Sequence, residues 1–378
     1  MSEAYIVSAS RTPVAPRNGA LADLDVWQLG ASVIKHALSH GGVDADKVDA
    51  VVMGNALYGG GNPARMAALE AGLPEFVSAT TIDTQCCAGL DAVGFAAQMI
   101  RSGDAHVVVA GGLESYSRSP IRQSRPRNND ELPSTYERPP FTPFPDRDPD
   151  MLEAAAHLAR RRDISREAQA AYAIASHQKA LKYSGSTSEI VKLKELSRDA
   201  FTRNLTPAVC ARASVICGDS DSGLTHATVA VEADAAATVI VVSEELKRQI
   251  DTCGRALRFS GHRTVGSDPE NPALAPVAAV DALMASSGIA SGKLACVELM
   301  EAFAVQSIAC IDDCRFTSEC VNRGGGALAR GHPIGASGAI LAVRLWHELQ
   351  TENTGAKGIA SIAAAGGLGS ASLWEVVD

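Results

Sequence analysis

Short apolar segments alternate with longer segments of helical character at both ends of this 378-residue chain. In the first third, predicted strands and helices follow one another over residues 4–10, 26–40, 49–57, 64–72, 89–102 and 106–112. Strands connected through helices form parallel sheets, and such sheets are covered on both faces. The alternation therefore predicts an α/β fold in which helices cover a central sheet.

The last third of the chain repeats this order. Predicted strands and helices alternate over residues 255–261, 276–288, 295–303, 336–349 and 358–369. The tetrapeptide AGGL occurs at 110–113 and again at 365–368, each time after a short apolar strand. The repetition predicts an internal duplication of one βα unit, with a period too long for a solenoid.

The middle of the chain has a different composition. Eight of the 17 prolines lie between Pro120 and Pro149, which predicts an irregular excursion outside the core. An amphipathic helix is predicted over 163–181, with Asp163 or Ser165 as its N-cap. We therefore divide the chain into an N-terminal half (1–118), an inserted loop domain with a return strand (119–250) and a C-terminal half (251–378).

Charge and cysteine content argue against several classes of protein. A net charge of −9 argues against a general nucleic-acid or membrane-surface binder, and no apolar run is long enough to span a bilayer. No secretion signal is evident, so we expect a cytoplasmic protein. Nine cysteines without paired C-x-x-C motifs predict free thiols and no structural metal site. We expect Cys310 and Cys314 to be small, buried side chains of one helix.

Two adjacent cysteines, Cys86 and Cys87 in TQCCAGL, precede the predicted helix at 89–102. Neighbouring side chains point in different directions, so the pair is not expected to act as one unit. The residues by themselves leave open a buried cysteine or a nucleophile. At a strand-to-helix junction, free backbone N–H groups and the helix dipole favour a thiolate.

Five segments resemble motifs of the thiolase family and occur in the same order as in that family. They are TIDTQCCAGLDAVGFAAQMI with the following GGLESYS, SREAQAAYAIASHQKA, ELMEAFA, RGGGALARGHPIGASGA and AAAGGLG. The likeness runs from about residue 4 to residue 377. It implies two duplicated β-α-β-α-β-α-β-β halves of five strands each, in a layered α/β/α/β/α core with an inserted loop domain. It also implies a homodimer or homotetramer.

The resemblance assigns roles to particular residues. The family nucleophile lies three residues before the motif glycine, which is Gly89 here and makes Cys86 the nucleophile. Cys87 then takes a small, packed position. His332 of the GHP motif becomes the base that activates the thiol. The oxyanion hole is expected to consist of the backbone N–H groups of Cys86 and Ala365.

Several positions depart from the family pattern. Met300 replaces an asparagine that holds a water for a second oxyanion hole, and a thioether cannot donate a hydrogen bond. Ala363 replaces a second cysteine, the base of the condensation step, and alanine cannot exchange protons. Ala230 replaces a serine near the pantetheine arm of coenzyme A, and Thr228 replaces a nearby asparagine. We expect Glu301 to have a structural role at the start of a helix.

These departures favour an acyltransferase that forms acyl-Cys86 from an acyl-CoA or acyl-carrier-protein thioester and passes the acyl group to an acceptor. No further cofactor is expected. Two alternatives stay open, namely a conventional 3-ketothiolase and a non-catalytic thiolase-like subunit of a complex. His157 and His226 are weaker candidates for substrate binding. Arginines of the loop region either meet phosphates or form a solvated surface; they are Arg122, Arg125, Arg127 and 160–162.

Overall fold

A computed structural model describes residues 2–183, 189–250 and 255–378. Its strands are β1 (Ala4–Arg11), β2 (Ala15–Pro16), β3 (Ala50–Gly54), β4 (Ser78–Ile82), β5 (Val107–Ser115), β6 (Arg122–Gln123), β7 (Thr135–Tyr136), β8 (Val215–Cys217), β9 (Leu224–Thr225), β10 (Ala233–Ser243), β11 (Ala256–Gly266), β12 (Cys296–Leu299), β13 (Lys357–Ala364) and β14 (Leu368–Val377).

Its helices are α1 (Val26–His40), α2 (Pro63–Glu70), α3 (Ala88–Ser102), α4 (Met151–Arg161), α5 (Arg166–Lys182), α6 (Pro207–Arg212), α7 (Glu244–Lys247), α8 (Ala275–Ser287), α9 (Ala304–Asp313), α10 (Ala327–Arg330) and α11 (Ile334–Leu349). No helix within the described ranges is long and apolar enough to cross a membrane.

The main sheet confirms the predicted duplication. Its order is β12-β13-β14-β11-β1-β10-β5-β3-β4, with β2 beside β10. The run β3-β5-β10-β1 of the first half has the same order and the same strand directions as β12-β13-β14-β11 of the second. The two halves join where β1 pairs with β11 at Tyr5–Arg258 and Ile6–Leu257.

The second half lacks a counterpart of β4 among the described residues, although the resemblance implied five strands. Val321 makes a single parallel bridge to Val297 where that strand would lie. The next residue, Asn322, has a positive φ of 44° and ends the extension. Its side chain accepts from the Leu299 N–H at 2.8 Å and donates to the Leu299 carbonyl at 2.9 Å. A side-chain amide therefore replaces the ladder bonds of a fifth strand.

The helices form three layers, as the resemblance implied. The outer pair α1 and α2 packs on the first half of the sheet, and α8 covers the second half. Between them, α3 and α11 contact strands of both halves. Every residue of α11 except its first is buried, which is typical of a central helix.

Two glycines allow the central helices to approach each other closely. A Cβ on Gly89 of α3 would lie 2.7 Å from the Ala339 nitrogen, and one on Gly338 of α11 would lie 2.5 Å from the Leu90 nitrogen. Both contacts are with backbone, which cannot move aside. The first turns of α3 and α11 therefore cross, and the loops that precede them come together.

The insertion is less regular than the core but is firmly attached to it. Residues 121–149 are largely exposed, with the short hairpin β6–β7, as the prolines predicted. Ser165, and not Asp163, is the N-cap of α5. Buried ion pairs join the insertion to the core: Arg11 pairs with Glu189 at 2.8 Å and with Asp199 at 2.6 Å. The predicted boundary at 250/251 adjoins residues 251–254, which lie outside the described residues.

Some local predictions were wrong. The first AGGL lies inside β5, whereas in the second Gly366 and Gly367, both with φ near 79°, form the turn between β13 and β14. The segment 295–303 does not run directly from strand into helix, because β12 ends at Leu299 and α9 begins at Ala304. Glu301 therefore lies in a loop. It is nevertheless structural, since its carboxylate accepts from Ser176 at 2.7 Å and Asn322 at 2.7 Å.

Candidate active site

Cys86 lies in a tight turn between β4 and α3. Gln85 adopts a left-handed conformation with φ 54°, and its N–H donates to Asp83 at 2.8 Å. The α-helix begins two residues after Cys86, at Ala88. Asp91 in the first turn of α3 accepts from Thr84 Oγ1 at 2.5 Å and from Ser370 Oγ on β14 at 2.7 Å. The turn is thus anchored to the C-terminal half.

The two adjacent cysteines have different environments. Cys86 is partly exposed and lines a cavity of about 550 Å³. Cys87 is fully buried, and its Sγ lies 3.6 Å from the Ile362 carbonyl oxygen. Cys86 can therefore meet a substrate in this cavity, whereas Cys87 is a packing residue.

His332 lines the same cavity, on the loop that precedes α11. Its Nδ1 lies 2.7 Å from Ser337 Oγ, and that hydroxyl donates to the Pro333 carbonyl at 3.0 Å. Because the single hydroxyl proton of Ser337 is used in this way, Ser337 accepts from Nδ1–H. The other ring nitrogen, Nε2, is then unprotonated and can accept a proton.

Burial shifts the pKa of both side chains toward their neutral forms. It raises the pKa of the Cys86 thiol to about 12, partly offset by the backbone N–H groups of Cys86 and Ala365. It lowers the pKa of His332 to about 4. Loss of solvation thus opposes the thiolate that a helix start favours, and the thiolate stays a prediction. A neutral Cys–His pair can react by proton transfer from the thiol to the imidazole during attack.

The two backbone N–H groups predicted to form an oxyanion hole both lie near the Cys86 thiol. The N–H groups of Cys86 and Ala365 both act on the Cys86 sulfur. Ala365 directly follows Ala364, the last residue of β13, and lines the cavity with Cys86. Two fixed backbone donors beside a nucleophile are suited to stabilise the oxygen of a tetrahedral intermediate.

Comparisons with known proteins agree with this architecture. The family model described as "Thiolase, N-terminal domain" matches residues 4–245, and the model described as "Thiolase, C-terminal domain" matches residues 255–376.

This chain belongs to the thiolase family.

Individual relatives cover almost the whole chain. YhfS of Bacillus subtilis is 37% identical over 379 residues, with 99% of each chain covered, and its name proposes an acetyl-CoA C-acetyltransferase. VraB of Staphylococcus aureus, whose name proposes the same activity, is 35% identical over 385 residues, again with 99% of each chain covered. The crystal structure of the Bacillus anthracis acetyl-CoA acetyltransferase is 31% identical and covers 100% of this chain and 99% of its own, with a TM-score of 0.91. The thiolase fold is confirmed, and the protein is an acyltransferase of the thiolase type.

The altered thiolase positions lie in different places. Ala363, at the end of β13, lines the cavity with Cys86, so the missing cysteine would have faced the substrate. Ala230 also lines the cavity. Met300, by contrast, is 2% exposed, packs in the central core and is not part of the cavity wall. Thr228 is buried, and its hydroxyl donates to the Thr225 carbonyl at 3.1 Å.

The two weaker histidine candidates are not at this cavity. His157 lies on the exposed face of α4, while Ala154 and Ala155 of the same helix face the cavity. His226 is also exposed and lies outside the cavity wall. The geometry therefore gives no support to a substrate-binding role for either. In the part of the chain described, no cluster of histidine, cysteine or carboxylate side chains could hold a metal ion.

The arginines of the loop region divide into three groups. Arg160 and Arg162 pair with Asp219 and Asp313 at 3.2 and 2.5 Å. Arg125, Arg127 and Arg161 are exposed, consistent with a solvated surface. Arg122 alone among the arginines predicted here lies at the cavity wall, with its guanidinium 5.7 Å from the Tyr136 ring centre.

Two residues near Cys86, Glu114 and Tyr116, were not predicted from the sequence. Glu114, at the end of β5, is 1% exposed and accepts from the N–H groups of Ala56 and Gly335, both at 2.9 Å. It thereby fixes the first turn of α11 beside His332. Tyr116 follows β5 and lines the cavity. The GGLESYS segment contains both residues, and its position after a buried strand was the available signal.

Proposed function

We propose that this thiolase-family protein transfers an acyl group from a thioester to an acceptor through an acyl-Cys86 intermediate. The observation that carries the proposal is the meeting of Cys86, His332 and Ala365 at one cavity. The acyl donor is a coenzyme A or carrier-protein thioester, and the names of the relatives support acetyl-CoA.

In the first half-reaction, the Cys86 sulfur attacks the thioester carbonyl while its proton passes to His332 Nε2. The negative charge on the carbonyl oxygen meets the N–H groups of Cys86 and Ala365. The bond between the carbonyl carbon and the carrier sulfur then breaks. His332 returns the proton to the leaving thiolate, which restores the neutral imidazole.

In the second half-reaction, His332 accepts the proton of an acceptor O–H, N–H or S–H group as that atom attacks the acyl carbon. The Cys86 thiolate leaves and recovers the proton from His332. One base is sufficient for this sequence, and also for a carbon nucleophile that arrives already activated. Removing a proton from an unactivated carbon needs a further base, and Ala363 cannot supply one.

A conventional acetyl-CoA C-acetyltransferase is the second candidate, since the relatives' names propose that activity. It requires a proton acceptor that replaces the side chain missing at Ala363. A non-catalytic subunit is less well supported, because Cys86, His332 and Ala365 all line one cavity.

Intact-protein mass spectrometry after mixing with acetyl-CoA tests the proposal. We expect an acetyl adduct that peptide mapping assigns to Cys86. Cys86→Ser should form no adduct, and the matched variant Cys87→Ser should keep most of it, because Cys87 is closed off from the cavity. An unmodified protein, or an adduct on Cys87, would contradict the proposal. Release of acetoacetyl-CoA without an added acceptor would favour the conventional reaction.

A further inference from the structure

A phenol forms part of the wall of the Cys86 cavity, which is otherwise mostly apolar. Tyr116 lines this cavity together with Cys86, His332 and Ala363. The Tyr116 backbone carbonyl accepts from Ser119 Oγ at 3.1 Å. Among the described residues, the Tyr116 hydroxyl has no hydrogen-bond partner. In an apolar pocket, a few fixed polar groups set the orientation and identity of the ligand.

The backbone on either side of Tyr116 is held firmly. Ser115 ends β5, and the Ser117 N–H donates to Asp234 at 3.0 Å. The Ser117 hydroxyl also donates to Asp234 and accepts from the Asn18 N–H at 2.7 Å. The ring of Tyr116 therefore projects from a fixed segment, which suits a residue that selects a ligand.

The charges around Tyr116 determine what its hydroxyl can do. Burial, and next the negative charge of Glu232, raise the pKa of Tyr116 well above the ordinary value, so the phenol keeps its proton and acts as a donor. Arg17 already pairs with Glu232 at 2.9 Å and with Glu137 at 3.5 Å. A neutral oxygen of a bound ligand could therefore accept a hydrogen bond from the Tyr116 hydroxyl.

The acyl group is the part of the substrate that this hydroxyl can meet. Tyr116 and Cys86 lie in the wall of the same cavity. The outer wall of the cavity is formed by exposed residues of the insertion, including Ile121, which is 85% exposed, and Tyr136, which is 38% exposed. The carrier arm would enter past these residues, and the acyl group would lie inside, next to Cys86 and Tyr116.

We propose that Tyr116 selects acyl groups that carry a hydroxyl oxygen beyond the thioester carbonyl, by donating a hydrogen bond to that oxygen. This specificity rests on the acyl-Cys86 chemistry proposed above. It narrows the donor to hydroxyl-substituted acyl thioesters.

The test compares rates of Cys86 acylation by butyryl-CoA and by 2-, 3- and 4-hydroxybutyryl-CoA, followed by intact-protein mass spectrometry. We expect the wild-type protein to prefer one hydroxybutyryl thioester over butyryl-CoA by about tenfold, the effect of one neutral hydrogen bond. Tyr116→Phe should lose this preference, because it keeps the ring and removes the hydrogen-bond donor. Tyr136→Phe, which removes a phenol from the outer wall of the same cavity, should keep the preference.

Equal rates for butyryl-CoA and all three hydroxybutyryl thioesters in the wild-type protein would overturn the proposal. So would a preference that survives in Tyr116→Phe. A calorimetric titration of Cys86→Ser separates this specificity from the acyl-transfer chemistry, because binding requires no acylation. Tighter binding of a hydroxybutyryl-CoA than of butyryl-CoA supports the role of Tyr116 even if no adduct forms, and equal binding overturns it.

Discussion

At the residue scale, the protonation of Cys86 and His332 gives a measurable signature. Burial raises the pKa of the thiol to about 12 and lowers that of the imidazole to about 4, so neither group titrates between pH 6 and 9. The thiolate fraction of Cys86 increases about tenfold for each pH unit in that range. We therefore expect the rate of iodoacetamide labelling at Cys86 to rise with the same slope, without a plateau at low pH.

Peptide mapping separates this signal from labelling of Cys217 and Cys320, which are also partly exposed, and Cys86→Ser provides the blank. A labelling rate that is already constant below pH 8 would show a thiolate–imidazolium pair at rest. In that case the attraction between the two charges would exceed the cost of burying them.

Which of the two cysteines meets the cavity could be inferred from sequence, whereas its environment could not. The register of Gly89 points to Cys86, and the structure opens Cys86 to the cavity while burying Cys87. The state of the thiol depends on how much protein surrounds it, which no local pattern encodes. Likewise, the sequence shows Ala363 and Met300 only as two departures from family motifs. The structure places Ala363 at the cavity and buries Met300.

At the scale of helices and strands, the site depends on the close crossing of α3 and α11. Gly338→Ala would place a methyl group 2.5 Å from the Leu90 nitrogen. Alanine gains up to about 1 kcal/mol over glycine in helix propensity. Overpacking against backbone costs about 1–3 kcal/mol, which exceeds the gain in helix propensity, because α11 is buried along its length. We expect lower stability in urea unfolding and slower acylation of Cys86, because Cys86 and His332 move apart.

The matched control for this prediction is Gly292→Ala. Gly292 lies in a short 3-10 helix with no atom within 4 Å of an added Cβ, so the substitution should leave unfolding and acylation unchanged. An unfolding midpoint of Gly338→Ala equal to that of the wild type would mean that α11 can shift without loss. The crossing would then not be what fixes the site.

Most elements with strong apolar patterns were predictable, including β1, α1, α3 and α11, within about two residues at their ends. The strand β4 was missed because its sequence SATTI is polar and its residues are only partly buried. A fifth strand in the second half was expected from resemblance but is replaced by the side chain of Asn322. Such a substitution depends on long-range contacts and leaves no periodic signal in sequence.

At the scale of the whole molecule, the insertion is held to the core by charges that no local pattern predicts. Glu189 lies between Arg11 of β1 and Arg344 of α11, at 2.8 and 2.7 Å, and all three side chains are almost completely buried. These residues are more than 150 positions apart in sequence. Only the folded topology brings them together, and it is the same topology that closes the cavity between the insertion and Cys86.

The exposed edge of the main sheet bears on assembly, which is still a prediction. The strand β4 pairs on one side with β3, and its other side is uncovered in the described chain. Phe76 just before it is 75% exposed, and Phe95 on α3 is 42% exposed. An open strand edge with neighbouring aromatic side chains invites pairing with a second copy. We therefore expect a homo-oligomer in which β4 strands of two copies meet around a two-fold axis.

Light scattering at micromolar concentration should give at least a dimer. Thr80, in the middle of β4, is exposed in the single chain, so Thr80→Lys should not disturb the fold of one copy. Across a two-fold axis it would bring two like charges close together, which disfavours pairing and should shift the protein toward monomer. Thr317→Lys adds the same charge at an exposed position in the second half and should leave the mass unchanged. A monomeric wild-type protein would refute the predicted assembly. A dimer that is unaffected by Thr80→Lys would show that the interface does not include β4.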